Sequence, residues 1–522
     1  MGAEGGRLVS AALKLLRSPD YFHDAREQGE SMEKHLRSPE AMSQTHTELE
    51  AFVEEQGREY QRLLLQAHLD LRAAQERPVD VRGVDGVPRT KRRLSARALM
   101  TVVGEVNVPR LAYQAPGVDA LHPMDAALNL PEELYSHSVR RRVAEQAIVR
   151  SFDEVVEEIR KTTGADVPKR QAEELTARAA QDFDAFYATR AVPDEETDDL
   201  LVMSFDGKGV AMRHDDLRPA TKKAAEVGQR KLSTRLTRGE KRNRKRMAQV
   251  ATIYSLSPQP RTPMDIMHDL RPAPEASTPR PRPVNKRVWA SLKQTPQEVI
   301  QATFDDAKRR DPTRKRRWVI LVDGNQDQLD RIRKVAKSEG TPVRIVLDII
   351  HVLEYLWKAA FAFFDDGTKE AERWVDQRFL ALLQGRPIGE IAKGIRRYAD
   401  RRHLSGKERK PVDACIRYLV KHADLMHYDR ALTEGLPIAT GVIEGACRYL
   451  VKDRMDRTGA RWSLEGAEAV LRLRSLRTSG DFDDYWTFHL EQEHARTHRA
   501  RYADGKVPAP PPRPRPTLRR VK

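Results

Sequence analysis

With 522 residues, the chain is long enough for roughly three domains. It carries 93 Lys and Arg against 77 Asp and Glu, a formal net charge of +16. That excess favours a polyanionic partner such as nucleic acid, although a soluble basic protein of another kind would share it. Two cysteines are too few for a disulfide framework or a cysteine zinc site. The sequence has no run of about 18 apolar residues, so we expect no membrane span. With so few cysteines, we expect an intracellular protein, cytoplasmic and nucleoid-associated.

The first 90 residues form a charged, helix-prone N-terminal region. Its clearest stretch, "ELEAFVEEQGREYQRLLLQAHLDLRAAQE", repeats apolar residues at helical spacing and predicts one long helix. Residues 91–130 then change toward β-branched side chains on either side of Gly104, in "RRLSARALMTVVGEVNVPRLAYQ". That pattern predicts a small β-hairpin module.

Residues 131–195 return to helical patterns. The stretch "SFDEVVEEIRKTTGADVPKRQAEELTARAA" contains two helices joined by a short turn at Gly164, with the second helix beginning near Pro168. This is the layout of a helix-turn-helix, whose second helix reads DNA bases. An ordinary helical hairpin has the same layout, so both interpretations stay open. In a helix-turn-helix, the residues expected to contact DNA are Lys169, Arg170 and Gln171.

Residues 196–350 carry the strands of an α/β core. The apolar run in "LLVMSFDGKGVAM" predicts a buried strand that ends at Asp206, and "MAQVATIYSL" predicts a second strand. Between them, residues 213–246 are dense in Lys and Arg and form either a solvated loop or a loop that contacts DNA phosphates. The cations expected to contact phosphates there are Lys241, Arg242, Arg244, Lys245 and Arg246.

Further along, a Pro-rich extended stretch precedes a helix predicted from about 289 to 310. The run "RRWVILVDGNQDQ" predicts a strand that ends at Asp323 and then a helix, and "VRIVLDIIHV" predicts another strand. Residues 351–438 show only helical patterns and predict an all-helical insertion, and residues 439–490 hold the last core helices. Residues 491–522 form a basic tail rich in Pro and Arg, and its last stretch, "VPAPPPRPRPTLRRVK", has no core-forming residues, which predicts disorder there.

Three acidic residues share a context in this order of elements. The order strand–strand–strand–helix–strand–helix–strand–helix lets the first and fourth strands of a mixed sheet lie side by side, so Asp206 and Asp323 can approach each other. A helix packed on the sheet can then supply Glu444. Such a cluster of like charges needs cations, and its oxygen ligands suit Mg²⁺ or Mn²⁺. Two such ions can activate an attacking oxygen and stabilise a leaving oxygen in phosphodiester transfer.

Structural explanations compete with the catalytic one. Asp206 followed by Gly207 is also a hairpin-turn signal. Asp323 could precede a helix, where negative charge is favoured. Asp348 is a rival for the second carboxylate, and His351 is either an accessory residue of the site or a structural histidine.

Glu444 lies in a basic context, "GVIEGACRYLVKDRMDRTGARWS", and falls off the apolar stripe of its helix. A pair between Glu444 and Arg448 would stabilise that helix by about 0.3–0.5 kcal/mol. Alternatively, Glu444 binds metal while the surrounding cations hold DNA phosphates. Those cations are Arg448, Lys452, Arg454, Arg457 and Arg461.

Four motifs, "SFDGKGV", "LVDGNQDQL", "LDIIHVLEYLW" and "GVIEGACRYLVKDRMDRTGARWS", together resemble those of bacterial insertion-sequence transposases of the DDE type, most nearly the Kra-type family. The resemblance covers residues 90–490, with the motifs in the family's order. It implies a ribonuclease-H-like α/β core with an all-helical insertion before the last acid. It also implies metal-dependent cutting and joining of DNA at the ends of the insertion sequence, with Asp206, Asp323 and Glu444 as the catalytic acids.

The resemblance further implies double-stranded DNA as partner, both the ends of the insertion sequence and the target. It also implies a homo-oligomer when two ends are paired.

The chain departs from the family at one place. Related proteins often have a cysteine pair after the N-terminal hairpin, whereas "LAYQAPGVDALHPMDAALNLP" has none; a zinc-supported module is therefore not expected. Two other functions remain open: a sequence-specific DNA-binding regulator with an inactive core, and a nuclease that cuts without joining. A regulator would not need the three acids.

Overall fold

The structure is a computed structural model that describes residues 20–192, 199–227, 232, 243–269, 280–457 and 459–509. Within these ranges, no helix combines the length and apolar character needed to cross a membrane. The chain is mixed α/β and divides into two compact units. One unit comprises the described parts of Met1–Asp182 and Asp484–Lys522, and the other comprises those of Phe183–Asp483.

The first unit combines helices with a small antiparallel sheet. Its strands, paired in this order, are β1 (Lys91–Thr101), β2 (Gly104–Ala115) and β3 (Val118–Leu121). β1 and β2 form the predicted hairpin, which turns between Thr101 and Gly104. Its described helices are His23–Leu36, Pro39–Ser43, His46–Ala74, Pro123–Ala127, His137–Ala147, Phe152–Thr162, Lys169–Ala179 and, from Asp484 onward, Phe482–Thr497.

The predicted long N-terminal helix is confirmed and runs His46–Ala74. It begins at a capping box, in which the Thr45 hydroxyl accepts from the N–H of Glu48 and the Glu48 carboxylate accepts from the N–H of Thr45. Leu69 on this helix packs into the core that includes Val108 of β2. The helix is therefore held both by its own cap and by burial against the small sheet.

The predicted helix pair is also confirmed, as Phe152–Thr162 and Lys169–Ala179 on either side of a turn at Gly164. Gly164 is required there because a Cβ atom would lie 2.6 Å from the backbone N of Gly104, in the hairpin turn. Helix His137–Ala147 shares one apolar core with the pair. Buried members of that core include Val139, Val143, Val155, Ile159, Ala172 and Leu175.

The predicted basic tail from residue 491 begins inside a helix and packs into the first unit. Helix Phe482–Thr497 extends past that point, and Tyr502 is only 2% exposed, in a core with Val81 and Tyr113. The N–H of Val84 donates to the carbonyl of Arg501 and ties the segment down further. Tyr502 thus anchors this segment in the core of the first unit. Residues from 510 onward lie outside the described residues.

The second unit is built on a five-stranded mixed sheet. In chain order its strands are β4 (Leu200–Ala211), β5 (Lys245–Leu256), β6 (Val284–Ser291), β7 (Trp318–Val322) and β8 (Val343–Leu347). Across the sheet the order is β6-β5-β4-β7-β8, with β6, β5 and β4 antiparallel and with β4, β7 and β8 parallel. The first and fourth strands of this unit are therefore neighbours, as the order of elements predicts.

Two predictions in this unit need correction. β4 does not end at Asp206 but continues to Ala211, because β5 pairs with it over its whole length. Asp206 therefore lies inside a strand, and the glycine after it is not a hairpin turn. The helix predicted from about 289 begins instead at Pro296, after a capping box at Thr295. Residues 284–291 form strand β6.

Helices flank this sheet, and one group of them forms the predicted all-helical insertion, from Ile349 to Thr433. The insertion begins and ends at one place, since the N–H of Ile349 donates to the carbonyl of Ile438 at 2.9 Å. The described helices of this unit are Phe183–Thr189, Pro219–Val227, Pro263–Asp269, Pro296–Arg310, Gln326–Ser338, Ile349–Ala360, Lys369–Leu383, Ile388–Arg401, Gly406–Lys421, Tyr428–Thr433, Gly441–Ala446, Asp453–Met455 and Leu464–Ser479.

Candidate functional site

Three aspartates lie in one row across β4, β7 and β8, and we call them the aspartate row. Continued by two residues, the parallel register of β4 and β7 places Asp206 opposite Asp323. Continued by one residue, the register of β7 and β8 places Asp323 opposite Asp348. There the N–H of Asp348 donates to the carbonyl of Val322 at 2.8 Å, so the ladder does extend this far. Adjacent strands lie about 4.8 Å apart, so the extended register puts the backbones of the three aspartates at one level of the sheet.

Asp348 caps helix Ile349–Ala360 and is fully buried. Its Oδ1 accepts from the N–H of Ile350 at 3.1 Å and from the N–H of Thr440 at 3.3 Å. Its Oδ2 accepts from the hydroxyl of Thr440. Three donors thus compensate a carboxylate that burial alone would strongly disfavour. Asp348 joins the end of β8 to the residue that precedes the helix of Glu444.

Glu444 lies on helix Gly441–Ala446 with an exposed side chain. Its Oε1 lies 3.2 Å from Oγ1 of Thr440, the same hydroxyl that bonds Asp348. A hydroxyl has a single proton, so Thr440 can donate to only one of these carboxylates at a time. The other carboxylate is then available to bind a cation or water.

Asp348, His351 and Glu444 form a compact group of candidate metal ligands, in which one ligand atom from each lies within 4.8 Å of the others. Nδ1 of His351 lies 3.5 Å from Oδ2 of Asp348, is shielded from solvent, and has no hydrogen-bond partner among the described residues. At this distance the group does not include Asp206 or Asp323. Asp323 and Asp348 are the two candidates for the second carboxylate, and of these Asp348 lies beside Glu444. Asp206, Asp323 and Glu444 do not form a preformed cluster.

Asp206 occupies the opposite end of the row. Its Oδ1 accepts from the N–H of Gly207 at 2.6 Å, and its Oδ2 accepts from the thiol of Cys447 at 3.0 Å. Burial, followed by the nearby Asp206 carboxylate, raises the pKa of Cys447, so the thiol stays protonated and can donate. The Glu444 carboxylate makes a smaller contribution in the same direction.

The helix of Glu444 is thus tied to both ends of the aspartate row. Thr440, just before the helix, bonds Asp348 after β8. Cys447, just after it, bonds Asp206 on β4. Glu444 lies between these two anchors in the chain. Its backbone is therefore held beside the row, while its exposed carboxylate keeps rotational freedom.

Asp323 follows β7 in the middle of the row and is half-buried. Its Oδ1 accepts from the N–H of Asn325 at 2.8 Å, and its backbone carbonyl accepts from the hydroxyl of Tyr418 at 2.8 Å. The next residue, Gly324, has φ +91°, where any side chain would be strained. A Cβ atom there would also lie 3.2 Å from Nε2 of His422. The insertion therefore fixes the backbone of Asp323, whose carboxylate keeps acceptor positions for a ligand.

A π-helical turn, Cys447–Lys452, directly follows helix Gly441–Ala446. Such turns are rare overall, but many of those known lie at functional sites. They change the hydrogen-bond pairing of the helix backbone, so some carbonyls need donors from outside the helix. Arg474 provides them, since its Nε donates to the carbonyl of Leu450 at 2.8 Å and a second guanidinium nitrogen donates to the carbonyl of Tyr449. Burial lowers the pKa of Arg474 to about 10, so the guanidinium remains charged at neutral pH.

Most of the cations predicted to contact DNA phosphates are exposed where the structure describes them. Lys241 and Arg242 lie outside the described residues. The exposed cations are Arg244, Lys245, Arg448, Lys452, Arg457 and Arg461. Helix Pro219–Val227 occupies part of the segment predicted to be a loop. The surface around Glu444 is therefore rich in accessible positive charge.

Two of the predicted phosphate contacts have internal roles instead. Arg454 is only 3% exposed, and its guanidinium stacks on the ring of Trp462 at 4.6 Å. Arg246 is half-buried and donates to the carbonyls of Leu292 at 2.8 Å and Asp216 at 3.1 Å. The prediction for Arg454 is wrong because the chain folds back here to bury it. Arg246 would have to release two carbonyls before its guanidinium could bind a phosphate.

The predicted DNA-contacting residues of the N-terminal helix pair are paired with acids. Lys169 lies 2.8 Å from Asp153, Arg170 lies 3.1 Å from Glu174, and the side-chain amide of Gln171 donates to Glu174 at 3.2 Å. The first helix of the pair, "FDEVVEEIRKT", has four carboxylates and two cations. A phosphate would meet this negative charge, so the arrangement favours an ordinary helical hairpin over a DNA reader.

Sequence reasoning missed Thr440, Cys447, Tyr418 and Arg474. Their contacts join segments that are distant in the chain; Thr440, for example, bonds a residue 92 positions earlier. No local pattern marks such a contact, and only the presence of a hydroxyl or thiol near the predicted acids could have suggested it. The chain matches no protein-family model, and a comparison with curated proteins finds no match.

Proposed function

We propose that the chain is a DDE-type transposase, which uses Mg²⁺ or Mn²⁺ to cut and join DNA strands at the ends of an insertion sequence. The observation that carries this proposal is the anchoring of the Glu444 helix to Asp348 at one end of the aspartate row and to Asp206 at the other. Two-metal phosphodiester chemistry needs several carboxylates that bound ions can share, and these two bonds hold the helix of Glu444 beside the row. A DNA-binding regulator has no use for such an arrangement.

The sheet supports a ribonuclease-H-like core as part of this proposal. Three antiparallel strands continue into two parallel ones, with β4 at the centre. The helical insertion then separates β8 from the helix of Glu444. The sequence resemblance implies the same order of elements, so strand order and motif order agree. Fold alone does not determine function, and the weight of the proposal therefore rests on the acids.

We assign metal binding to Asp206, Asp323 and Glu444, and positioning to Asp348 and His351. Asp348 is fully buried with three hydrogen bonds already accepted, whereas Asp206 and Asp323 are half-buried and Glu444 is exposed. Three carboxylates are a donor set that fits Mg²⁺ or Mn²⁺. When bound, these ions would activate an attacking oxygen and stabilise a leaving oxygen. The contribution of Asp348 is to hold Thr440 and, through it, the start of the Glu444 helix.

DNA is the substrate in this proposal, and the cations beside the site would contact its phosphates. Arg448, Lys452 and Arg457 are exposed within the fourteen residues from Glu444 to Arg457. Each phosphate contact would add affinity independently of base sequence. Pairing two element ends requires two catalytic cores, so we also propose a homo-oligomer on DNA. A transposase of this kind would act on the nucleoid in the cytoplasm.

The test is a cleavage and strand-transfer assay with the full chain, Mg²⁺ and DNA taken from the sequences that flank its gene. Asp206→Ala and Glu444→Ala should each abolish cleavage and leave DNA binding largely intact, because metal coordination is lost. The matched control is Asp330→Ala, an exposed aspartate on the helix after β7.

Equal cleavage by the parent and both variants would overturn the metal role. Binding without cleavage by the parent would favour the regulator, and cleavage without joining would favour the nuclease. Inverted repeats on either side of the coding sequence would support the transposase independently of any assay.

A further inference from the structure

One stripe of side chains continues from the acids along helix Ile349–Ala360. Asp348, His351, Tyr355 and Lys358 follow one another at spacings of three, four and three residues, which places them on one face of the helix. The stripe thus runs from a carboxylate, through an imidazole and an aromatic ring, to a cation. Tyr355 lies about 10 Å along the helix from Asp348.

The ring of Tyr355 is stacked on the ring of Tyr418, with centroids 4.0 Å apart and planes inclined by 14°. The hydroxyl of Tyr418 donates to the carbonyl of Asp323, so this pair of rings is tied directly to the aspartate row. Both rings are half-buried and keep part of their surface exposed. Nζ of Lys358 lies over the ring of Tyr355, 5.1 Å from its centroid, and 3.3 Å from Oε2 of Glu354. A base that stacks on the same face of the ring must displace it.

We propose that Tyr355, backed by Tyr418, is a stacking platform for an unpaired nucleobase of the DNA strand whose phosphate lies at the acids. Lys358 would contact the phosphate next to that base. This inference rests on the proposed function and adds a substrate feature to it: the strand must be locally unpaired at the site. Aromatic rings bind all four bases through their π faces, so the platform has no sequence preference.

Stacking on an aromatic side chain requires an unpaired base. Inside a duplex, each base is covered above and below by its neighbours, so an aromatic side chain can stack on it only when it leaves the helix. The ring pair could also serve only to pack helix Ile349–Ala360 against helix Gly406–Lys421. The two roles differ in what the outer surface of Tyr355 contacts, and this difference can be measured.

The first experiment compares Tyr355→Leu with Tyr355→Phe in the full chain. The probe is a short single-stranded DNA, bound in Ca²⁺ so that affinity is measured independently of cleavage. Tyr355→Leu should weaken binding about tenfold, the usual order for one lost base stack, and Tyr355→Phe should bind as the parent does. Parent-like binding by Tyr355→Leu, or equal losses in both variants, would overturn the proposal.

The second experiment uses the unmodified protein, so it does not depend on the folding of a variant. Single-stranded DNA that contains 5-iodouracil is irradiated in the complex, and the crosslinked peptide is identified by mass spectrometry. A crosslink at Tyr355 supports the platform, and crosslinks confined to other regions overturn it. If Tyr355 crosslinks but Asp206→Ala cleaves like the parent, the proposed function fails and the platform stands.

Discussion

The thiol of Cys447 donates a hydrogen bond to Oδ2 of Asp206 across 3.0 Å, from a π-helical turn to the middle of a strand. The two residues lie 241 positions apart. This bond and the bond from Thr440 to Asp348 are the two fastenings of the Glu444 helix to the sheet.

Both cysteines should resist alkylation in the folded protein at pH 8. Burial raises the pKa of Cys415 to about 12, and burial together with Asp206 raises that of Cys447. Because the thiolate is the nucleophile, a raised pKa makes a thiol inert. Asp206→Asn should speed the alkylation of Cys447 with iodoacetamide and leave Cys415 unchanged. Peptide mass spectrometry of timed samples measures both rates, and an unchanged rate for Cys447 would contradict the electrostatic role of Asp206.

Thr440→Val should weaken metal binding without unfolding the protein. Valine has the shape of threonine but no hydroxyl, so both carboxylates that the hydroxyl links lose this contact. Loss of an outer positioning contact typically lowers metal affinity about 10- to 100-fold. Titration of Mn²⁺ into the full chain by calorimetry measures the change, with Thr440→Ser as the control that keeps the hydroxyl. Equal affinities for valine and serine would show that the hydroxyl does not position Glu444.

Arg474→Gln should lower the free energy of unfolding by about 1–2 kcal/mol, since the carbonyls of Tyr449 and Leu450 lose their donors. Lysine cannot replace the two-pronged guanidinium, so Arg474→Lys should recover only part of the loss. Urea unfolding measures these differences, with the exposed Arg461→Gln as control. A stability equal to that of the parent would mean that the π-helical turn between Cys447 and Lys452 holds without this side chain.

Stability of the first unit should fall as the pH falls from about 6.5 toward 4. Burial lowers the pKa of His137 to about 4, so the folded chain keeps this ring neutral while the unfolded chain binds a proton. The stabilising contribution of the neutral ring is therefore fully present above the pKa that His137 has in the unfolded chain. It is lost as the pH falls through the pKa that His137 has in the folded chain. His137→Gln should reduce the acid-dependent loss of unfolding free energy by about 2 kcal/mol. Urea unfolding at pH 7 and pH 4.5 measures it, with exposed His68→Gln as control; parallel curves would contradict the assignment.

Arg448→Ala and Arg454→Ala should have different effects. Arg448 is exposed, and its loss should reduce the dependence of DNA affinity on salt by a slope of about one. Arg454 is buried on Trp462, and its loss should lower the melting temperature instead. Binding titrations on random duplex DNA at several salt concentrations, paired with thermal unfolding, distinguish the two. A reduced slope for Arg454→Ala at unchanged stability would restore its predicted phosphate contact.

The sequence predicts the buried strands and capped helices because their signals are local. β7 is a continuous apolar run followed by a helix, and the helix pair around Gly164 has clear apolar periodicity. The position of β6 was not predicted because its sequence, "VNKRVWAS", carries charges in its first half. Arg287 in β6 is nonetheless buried, in an ion pair with Asp306 at 2.9 Å. Because its partner lies outside the strand, the sequence of β6 alone does not show the apolar pattern of a buried strand.

The candidate site follows the same division. Asp206, Asp323 and Glu444 could be selected from motifs and the order of elements, and the adjacency of the first and fourth strands could be predicted. The grouping of Asp348 with Glu444 could not, because it depends on a threonine on the far side of the insertion. Arg454 was misplaced for a similar reason, since its burial depends on the return of Trp462 to the end of β4.

The bond between Ile349 and Ile438 bears on how this architecture can change. Because the insertion departs and returns at one point, its length is not dictated by the distance between β8 and the helix of Glu444. Segments could be gained or lost within it over evolution while the acids kept their places. Tyr418 limits this freedom, since its hydroxyl holds the backbone of Asp323 from within the insertion. The insertion could therefore be shortened or replaced, provided that it still supplies a hydrogen-bond donor to the backbone carbonyl of Asp323.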